Sequence, residues 1–293
     1  MQAYDYFNQS VQKLEKIYSK EEASQILYWV YEDVLLIKKA HLHLFNKELG
    51  MAEEMKLDSI LNRLLSCEPL QYILGYAYFR NLRIKVSPAV LIPRPETEEL
   101  VEWVIEEVKN HFDSTQPISI LDIGTGSGCI AISLEQEIKN SKISAMDISK
   151  QALSVARENA LSYQSNISFR EASILSGEDK SWVVDQNFDI MVSNPPYIKE
   201  AEKISMHANV IDFEPHLAYL VPDENPLLFS HNILETFNES KNTKMLFFEI
   251  GEFQELALED LCKKYLMPYK FRKDIQGKTR MLQIMKADNF PLM

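Results

Sequence analysis

The sequence predicts an α/β protein, with a parallel sheet covered on both faces by helices, joined through a β-hairpin to a small N-terminal helical bundle. Three observations lead there. From about residue 117, short apolar runs alternate with helix-period segments, the βαβα rhythm of a parallel sheet. Residues 1 to about 75 carry helical periodicity and a single internal glycine, Gly50. Two of the predicted strands end in special loops, one rich in glycine and one in proline, where open α/β sheets bind ligands.

In the N-terminal region, Ile26, Leu27, Val30, Val34 and Leu35 recur at helical spacing within Glu21 to Leu36, and Leu57, Ile60, Leu61, Leu64 and Leu65 repeat the pattern. Such stripes bury against each other in a bundle. Leu82-Arg83-Ile84-Lys85-Val86 then alternates apolar and basic residues with period two, as a half-buried strand does. Val90-Leu91-Ile92 is its expected hairpin partner across Ser87-Pro88-Ala89. Pro93 and Pro95 stiffen the entry to a helix carrying Leu100, Val101, Val104, Ile105 and Val108 on one face. Strands are expected at Ile118–Ile123, Lys142–Asp147, Ile167–Arg170, Phe188–Ser193 and Lys244–Ile250, with Phe271–Asp274 and Met281–Lys286 as two more around Gly277. The expected domains are 1–75, 76–94 (the hairpin linker) and 95–293. There are no repeats or low-complexity segments.

Composition narrows the function. At 293 residues and 46% hydrophobic, the chain has ample material for a core. Its net charge of −12 disfavours a life on nucleic acid, since phosphate contacts need Lys and Arg. The N-terminal region holds eight Lys and Arg against eleven Asp and Glu, so it reads as a lid or a protein-docking surface. Cys67, Cys129 and Cys262 form no CxxC and suit a reducing compartment. His41 and His43, two apart, fall on different faces of a helix and read as surface histidines, so no metal site is expected. The N-terminus has no leader pattern and no apolar run spans a bilayer, so a cytoplasmic protein is expected.

The glycine-rich loop is Leu121-Asp122-Ile123-Gly124-Thr125-Gly126-Ser127-Gly128, at the end of the first strand of the sheet. Its glycines let the backbone turn sharply and approach a ligand closely. Asp147 ends the next strand 19 residues after Gly128, where a carboxylate can accept both hydroxyls of a ribose, and Ile148 follows it. Gly126, Gly128 and Ala131 satisfy GxGxxG/A, so a dinucleotide is one candidate cofactor. S-adenosylmethionine is the other, implied because Asp122 with the Gly124 to Gly128 run resembles the class I methyltransferase motif: it carries a cation and no phosphate, and gains from the carboxylates that would repel a pyrophosphate. The same resemblance implies a third cofactor contact at Ser173 and Ile174, with Ser173 accepting from the adenine amino group and Ile174 packing on the ring.

The proline-rich loop is Asn194-Pro195-Pro196-Tyr197, directly after Phe188–Ser193. Two prolines hold it rigid. The Asn194 side-chain oxygen and the Pro195 carbonyl can accept N–H bonds from a planar amino or amide group, and Tyr197 offers a face for stacking. This loop resembles that of the amino-methyltransferases, and a dehydrogenase has no use for it, so it decides between the two cofactors. Arg94, read on its own, is a solvated cation. Glu214 reads as a structural carboxylate capping its local turn, with a base or substrate contact as the other reading. Glu249 is open between structure and function.

Taken together, Pro69 to Gly75, Ser87-Pro88, Leu91-Ile92-Pro93-Arg94-Pro95-Glu96-Thr97-Glu98, Asp122 to Gly128, Asn194 to Tyr197, Phe213-Glu214-Pro215, Phe248 to Gly251 and Asp274 to Arg280 resemble the protein-(glutamine N5) methyltransferases of the HemK/PrmC type. The resemblance implies a Rossmann-like class I methyltransferase sheet, mostly parallel with an antiparallel C-terminal edge strand. It implies S-adenosylmethionine as cofactor and, as substrate, the Gln of the Gly-Gly-Gln loop in class I peptide chain release factors. It places Arg94 near the site with Asn194, Pro195, Pro196 and Tyr197, and it shows Ser173 where the family usually presents an Asp. Neither a membrane nor a stable nucleic-acid partner is expected, and a monomer is. Rival readings are a nucleic-acid methyltransferase acting on adenine N6 or guanine N2, a non-catalytic module docking to translation factors, and a small-molecule methyltransferase. The first lacks a basic face, the second leaves the intact loops without a use, and the third leaves the helical domain without one.

Overall fold

A computed structural model of the chain describes residues 1–42 and 47–286, which leaves His43 outside the described residues. The described chain forms two compact units, Met1–Tyr76 with His207–Phe213, and Ala77–Met206 with Glu214–Met293.

The first unit is helical: Ala3–Leu14, Lys20–Leu35, Met51–Leu65 and Leu70–Leu74, with a short helix at Ala208–Ile211 from the later excursion. Ser19 caps the second helix by accepting from the Glu22 amide, and Leu36 ends it in a left-handed conformation. The predicted stripes face inward, with Leu27, Val30, Leu35, Leu57, Ile60, Leu61 and Leu64 buried in one cluster. Each such side chain is worth ~1.5–3 kcal/mol of burial. Phe7 lies between Tyr28 and Tyr31, stacked on the first and edge-on to the second, and the Tyr31 hydroxyl donates to the Ala3 carbonyl.

A two-stranded hairpin follows, β1 (Tyr76–Phe79) and β2 (Leu82–Lys85), turning through Arg80-Asn81 with Arg80 at φ 51°. This corrects the expected hairpin. The alternating segment is a strand, but it pairs with the one before it, and Val90-Leu91-Ile92 forms none. The apolar residues there serve burial instead of pairing: Val90 and Ile92 are buried, and the Ile92 amide donates to the Glu214 carboxylate rather than to a ladder. β2 is tied instead to the helix Lys150–Ser162. Buried Asn159 accepts from the Lys85 amide and donates to the carbonyls of Lys85 and Ser127, so one side chain joins the hairpin to the glycine-rich turn.

The large sheet contains β3 (Ile118–Ile123), β4 (Ser141–Asp147), β5 (Ile167–Glu171), β6 (Ile190–Ser193), β9 (Met245–Glu249), β10 (Tyr269–Lys273) and β11 (Thr279–Met285). A short parallel pair between β6 and β9 in the chain, β7 (Ile198–Lys199) with β8 (Leu220–Val221), has no counterpart in the sequence reading. The strand order is β10-β11-β9-β6-β3-β4-β5. All pairs from β9 to β5 are parallel, and β11 runs antiparallel to both neighbours, so the change of direction falls at the C-terminal edge as expected, one strand in from the rim. The seven predicted runs match these strands to within two residues. The order reverses between β3 and β6, the position where such sheets bind ligands. Helix Pro95–His111 covers β9, with Trp103 edge-on to Phe247 at 5.6 Å and 1% exposed.

Replacing Trp103 by Ala would leave a large void under this helix. A loss of ~3–5 kcal/mol in unfolding free energy is expected, read from urea titration.

Candidate active site

The site follows from register. β3 pairs with β6 so that Ile123 lies opposite Ser193; Ile123 lies opposite Met146 of β4, and Ser193 opposite Phe248 of β9. The next residues out, Gly124, Asn194, Asp147 and Glu249, therefore leave the sheet along one edge. The Ser193 hydroxyl donates to the Ile123 carbonyl at 2.7 Å and locks the two central strand ends together.

The turn after β3 is folded as its glycines allow. Gly124, Gly126 and Gly128 have φ of 75°, 55° and 82°. A Cβ on Gly128 would lie 3.2 Å from the Ala156 methyl, so this glycine also lets two helices approach. At Gly124 and Gly126 a Cβ would meet nothing within 4 Å, and both line the cleft. The Gly124 and Thr125 amides donate to the Met146 carbonyl. Asp147 accepts from the Gly126 amide on one oxygen (2.9 Å) and from Ser149 on the other (2.8 Å), and retains acceptor capacity on both.

Asp122 sits behind the turn, fully buried, and accepts from the Thr125 hydroxyl at 2.6 Å. It is not among the cleft-lining residues. Burial, with the nearby Asp147 charge adding to it, pushes the Asp122 carboxyl up to about 7. Burial also raises Asp147. Carboxyls raised in this way gain from a nearby cation.

The cleft is about 1220 Å³ including its open mouth. Its walls contain Gly124 to Ser127, Asp147, Ile148, Ser173, Ile174, Asn194, Pro195, Pro196 and Arg94. Ile148 is half-exposed and Ile174 buried at the predicted adenine end. The Ser173 hydroxyl accepts from the Leu175 amide, and its own amide donates to Asp179, which belongs to helix Gly177–Asp185 and does not line the cleft. Asp179 thus secures the Ser173 loop from behind.

Tyr197 is placed differently from its neighbours. Its ring packs beside Gly251, where a Cβ would come within 3.2 Å of it, and its hydroxyl donates to Glu249 at 3.2 Å; it is not part of the cleft wall. Burial raises the phenol well above its usual range. Glu249 is buried and also accepts from the Thr97 hydroxyl at 2.5 Å, and Thr97 accepts from the Asn194 amide nitrogen at 3.1 Å. Burial pushes the Glu249 carboxyl up to about 7. Arg94 is not a free cation: it pairs with buried Glu214 at 2.5 Å, whose other oxygen takes the Ile92 amide. Glu214 clamps a segment 120 residues away to the cleft. Sequence reading left Thr97 and Asp179 without roles, because their partners are distant in the chain or on another element.

A mostly parallel sheet whose central strand ends carry a glycine turn and an Asn-Pro-Pro-Tyr loop defines a class I methyltransferase. Residues 105–214 match the family described as the methyltransferase small domain, and residues 5–75 match the PrmC N-terminal domain. The release factor glutamine methyltransferase of Flavobacterium psychrophilum is 40% identical over 96% of this chain and 98% of its own length. That of Bacteroides thetaiotaomicron is 38% identical over 92% of this chain and 95% of its own. Among solved structures, the hMettl16 catalytic domain in complex with MAT2A 3'UTR hairpin 6 shares the fold, with a TM-score of 0.54 at 15% identity over 83% of this chain and 84% of that one. The chain belongs to the release factor glutamine methyltransferases.

The raised Asp122 carboxyl makes a stability prediction. Its proton is held more tightly folded than unfolded, so its contribution is full below pH ~4 and is lost as pH rises toward about 7. Asp122→Asn removes that loss, while Glu249 titrates alike in both proteins. The melting temperature of the variant relative to wild type should rise between pH 5 and pH 8 in the cofactor-free protein; a constant difference would show that Asp122 ionises normally.

Proposed function

We propose that this chain transfers a methyl group from S-adenosylmethionine to the side-chain amide nitrogen of the Gln in the Gly-Gly-Gln loop of a class I peptide chain release factor. The observation that carries the reading is that the glycine turn and the Asn194-Pro195-Pro196 loop are walls of one cleft. Bound there, S-adenosylmethionine supplies an electrophilic methyl group on a sulfonium. Gly124 to Gly128 would give its backbone approach, Asp147 would accept from its ribose, and Ile148, Ser173 and Ile174 would enclose its adenine; Asp122 holds the turn from behind through the Thr125 hydroxyl.

An amide nitrogen is a poor nucleophile because its lone pair is delocalised into the carbonyl. The Asn194 oxygen and the Pro195 carbonyl accept its two hydrogens and aim the lone pair into the cleft, and Pro196 keeps that carbonyl fixed. Tyr197 packs against the loop and supports it. Arg94, held by Glu214, borders the entry for the substrate loop. The new N–C bond would form as the sulfur–methyl bond breaks, its electron pair staying on the departing neutral thioether; the amide then loses its extra proton to water, so no strong base is needed first. Residues 1–75 dock the release factor, 76–94 link, and 95–293 catalyse. The chain acts as a monomer in the cytoplasm. No helix among the described residues is long and apolar enough to cross a membrane.

The test is incubation with methyl-labelled S-adenosylmethionine and an unmodified release factor, followed by mass spectrometry. Label on the Gly-Gly-Gln glutamine is expected, and label on co-incubated RNA or DNA instead would overturn the reading. In the same assay, Asn194→Ala should lower kcat by ~10²–10³ while cofactor affinity changes far less. Undiminished kcat in that variant would remove Asn194 from the mechanism.

A further inference from the structure

Asn194 can grip a substrate amide only if its oxygen, not its NH2 group, faces the cleft. The two ends of an Asn side chain have nearly the same shape, so packing alone does not choose between them. A hydrogen-bond chain behind Asn194 does choose.

We propose that Glu249 and Thr97 are positioning residues that fix the orientation of the Asn194 amide, and through it the recognition of a substrate that donates two N–H bonds. This rests on the reading of the reaction given above. The ionised Glu249 carboxylate can only accept. It takes a hydroxyl hydrogen from Thr97 on Oε2 and one from Tyr197 on Oε1. Thr97 has a single hydrogen, and Glu249 holds it. The Thr97 oxygen therefore has only lone pairs left to offer Asn194. The Asn194 NH2 group must turn toward it, as it does at 3.1 Å. Asn194 Oδ1 is then directed away from Thr97. Turned over, Asn194 would set Oδ1 against the Thr97 lone pairs, two acceptors in contact in a site where both Thr97 and Glu249 are buried.

The chain spans three elements: Glu249 ends β9, Thr97 lies in the first turn of helix Pro95–His111, and Asn194 follows β6. Its direction is set at Glu249, because an acceptor-only group at one end polarises every bond after it. A glutamine there has the same shape but can donate. It can accept from Tyr197 through its oxygen and donate to Thr97 through its nitrogen, which frees the Thr97 hydroxyl to donate to Asn194 Oδ1. Asn194 would then present NH2 to a substrate NH2.

Four variants test this near pH ~8.5, where Glu249 is ionised. Glu249→Gln and Thr97→Val should each lower kcat by about a hundredfold, with cofactor affinity and melting temperature close to wild type. Thr97→Ser, which keeps the hydroxyl, should retain kcat to within about threefold. Because the effect passes through Asn194, adding Glu249→Gln to Asn194→Ala should cost nothing further. A readout independent of substrate is the Asn194 side-chain NH2 signal in 15N NMR. It should be protected from exchange in wild type and Thr97→Ser, and unprotected in Thr97→Val. Wild-type kcat in Glu249→Gln, a multiplicative loss in the double variant, or unchanged NH2 protection in Thr97→Val would each overturn the proposal. A wild-type protein that fails to methylate the release factor would overturn the functional reading instead, and the NMR comparison would still decide the orientation.

Discussion

Parallel pairing of β3 with β6, with Ile123 opposite Ser193, sets the position of everything that follows. Side chains alternate faces along a strand, so a slip of one residue would turn Ser193 away from the Ile123 carbonyl and rotate Asn194 out of the cleft. The register is secured by burial on both faces, since all four residues of β6 are buried, and by the Ser193 hydroxyl bond at the strand end. The glycine turn, the Asp147 carboxylate, the Asn194 loop and Glu249 are then consecutive along one edge because four neighbouring strands stop there together.

That edge is also an electrostatic arrangement. Asp122, Asp147 and Glu249 all resist ionisation because they are buried. All three are restrained by donors from their own surroundings, Asp147 by backbone amides and Asp122 and Glu249 by hydroxyls. Such carboxylates carry a standing cost that a cationic ligand offsets and an anionic one worsens.

Much of this was legible in the sequence because the signals are local. Seven apolar runs declared seven strands, and helical stripes in the first 65 residues declared a bundle, since burial imposes its period directly. The glycine turn and the proline loop were equally visible, because positive φ and rigid backbone demand particular residues. The hairpin was misassigned because Val90 and Ile92 are apolar for burial rather than for pairing, and periodicity does not separate those causes. Tyr197 illustrates a subtler limit: an aromatic beside a binding loop invites a stacking role, yet its ring is packed on Gly251 and its hydroxyl is spent on Glu249. Thr97 and Glu214 were opaque for one shared reason. Each acts through a partner set by the fold, 152 residues distant for Thr97 and Glu249 and 120 for Arg94 and Glu214, and no local pattern encodes such a pair.

The distance between Glu249 and the reacting amide has a chemical sense. A carboxylate placed directly against the substrate nitrogen would accept its hydrogens strongly, but it would also compete for the cationic cofactor. In the proposed reaction Asn194 accepts the same hydrogens without net charge. Thr97 passes on the direction of the Glu249 carboxylate while keeping its charge behind the loop. The first turn of helix Pro95–His111 is therefore more than a cover for β9: the proline that starts it fixes where Thr97 stands, and the Arg94 that precedes it is anchored by Glu214 at the cleft wall. In the proposed reaction one short segment thus serves both sides of the substrate, orienting the acceptor on one and bordering the entry on the other.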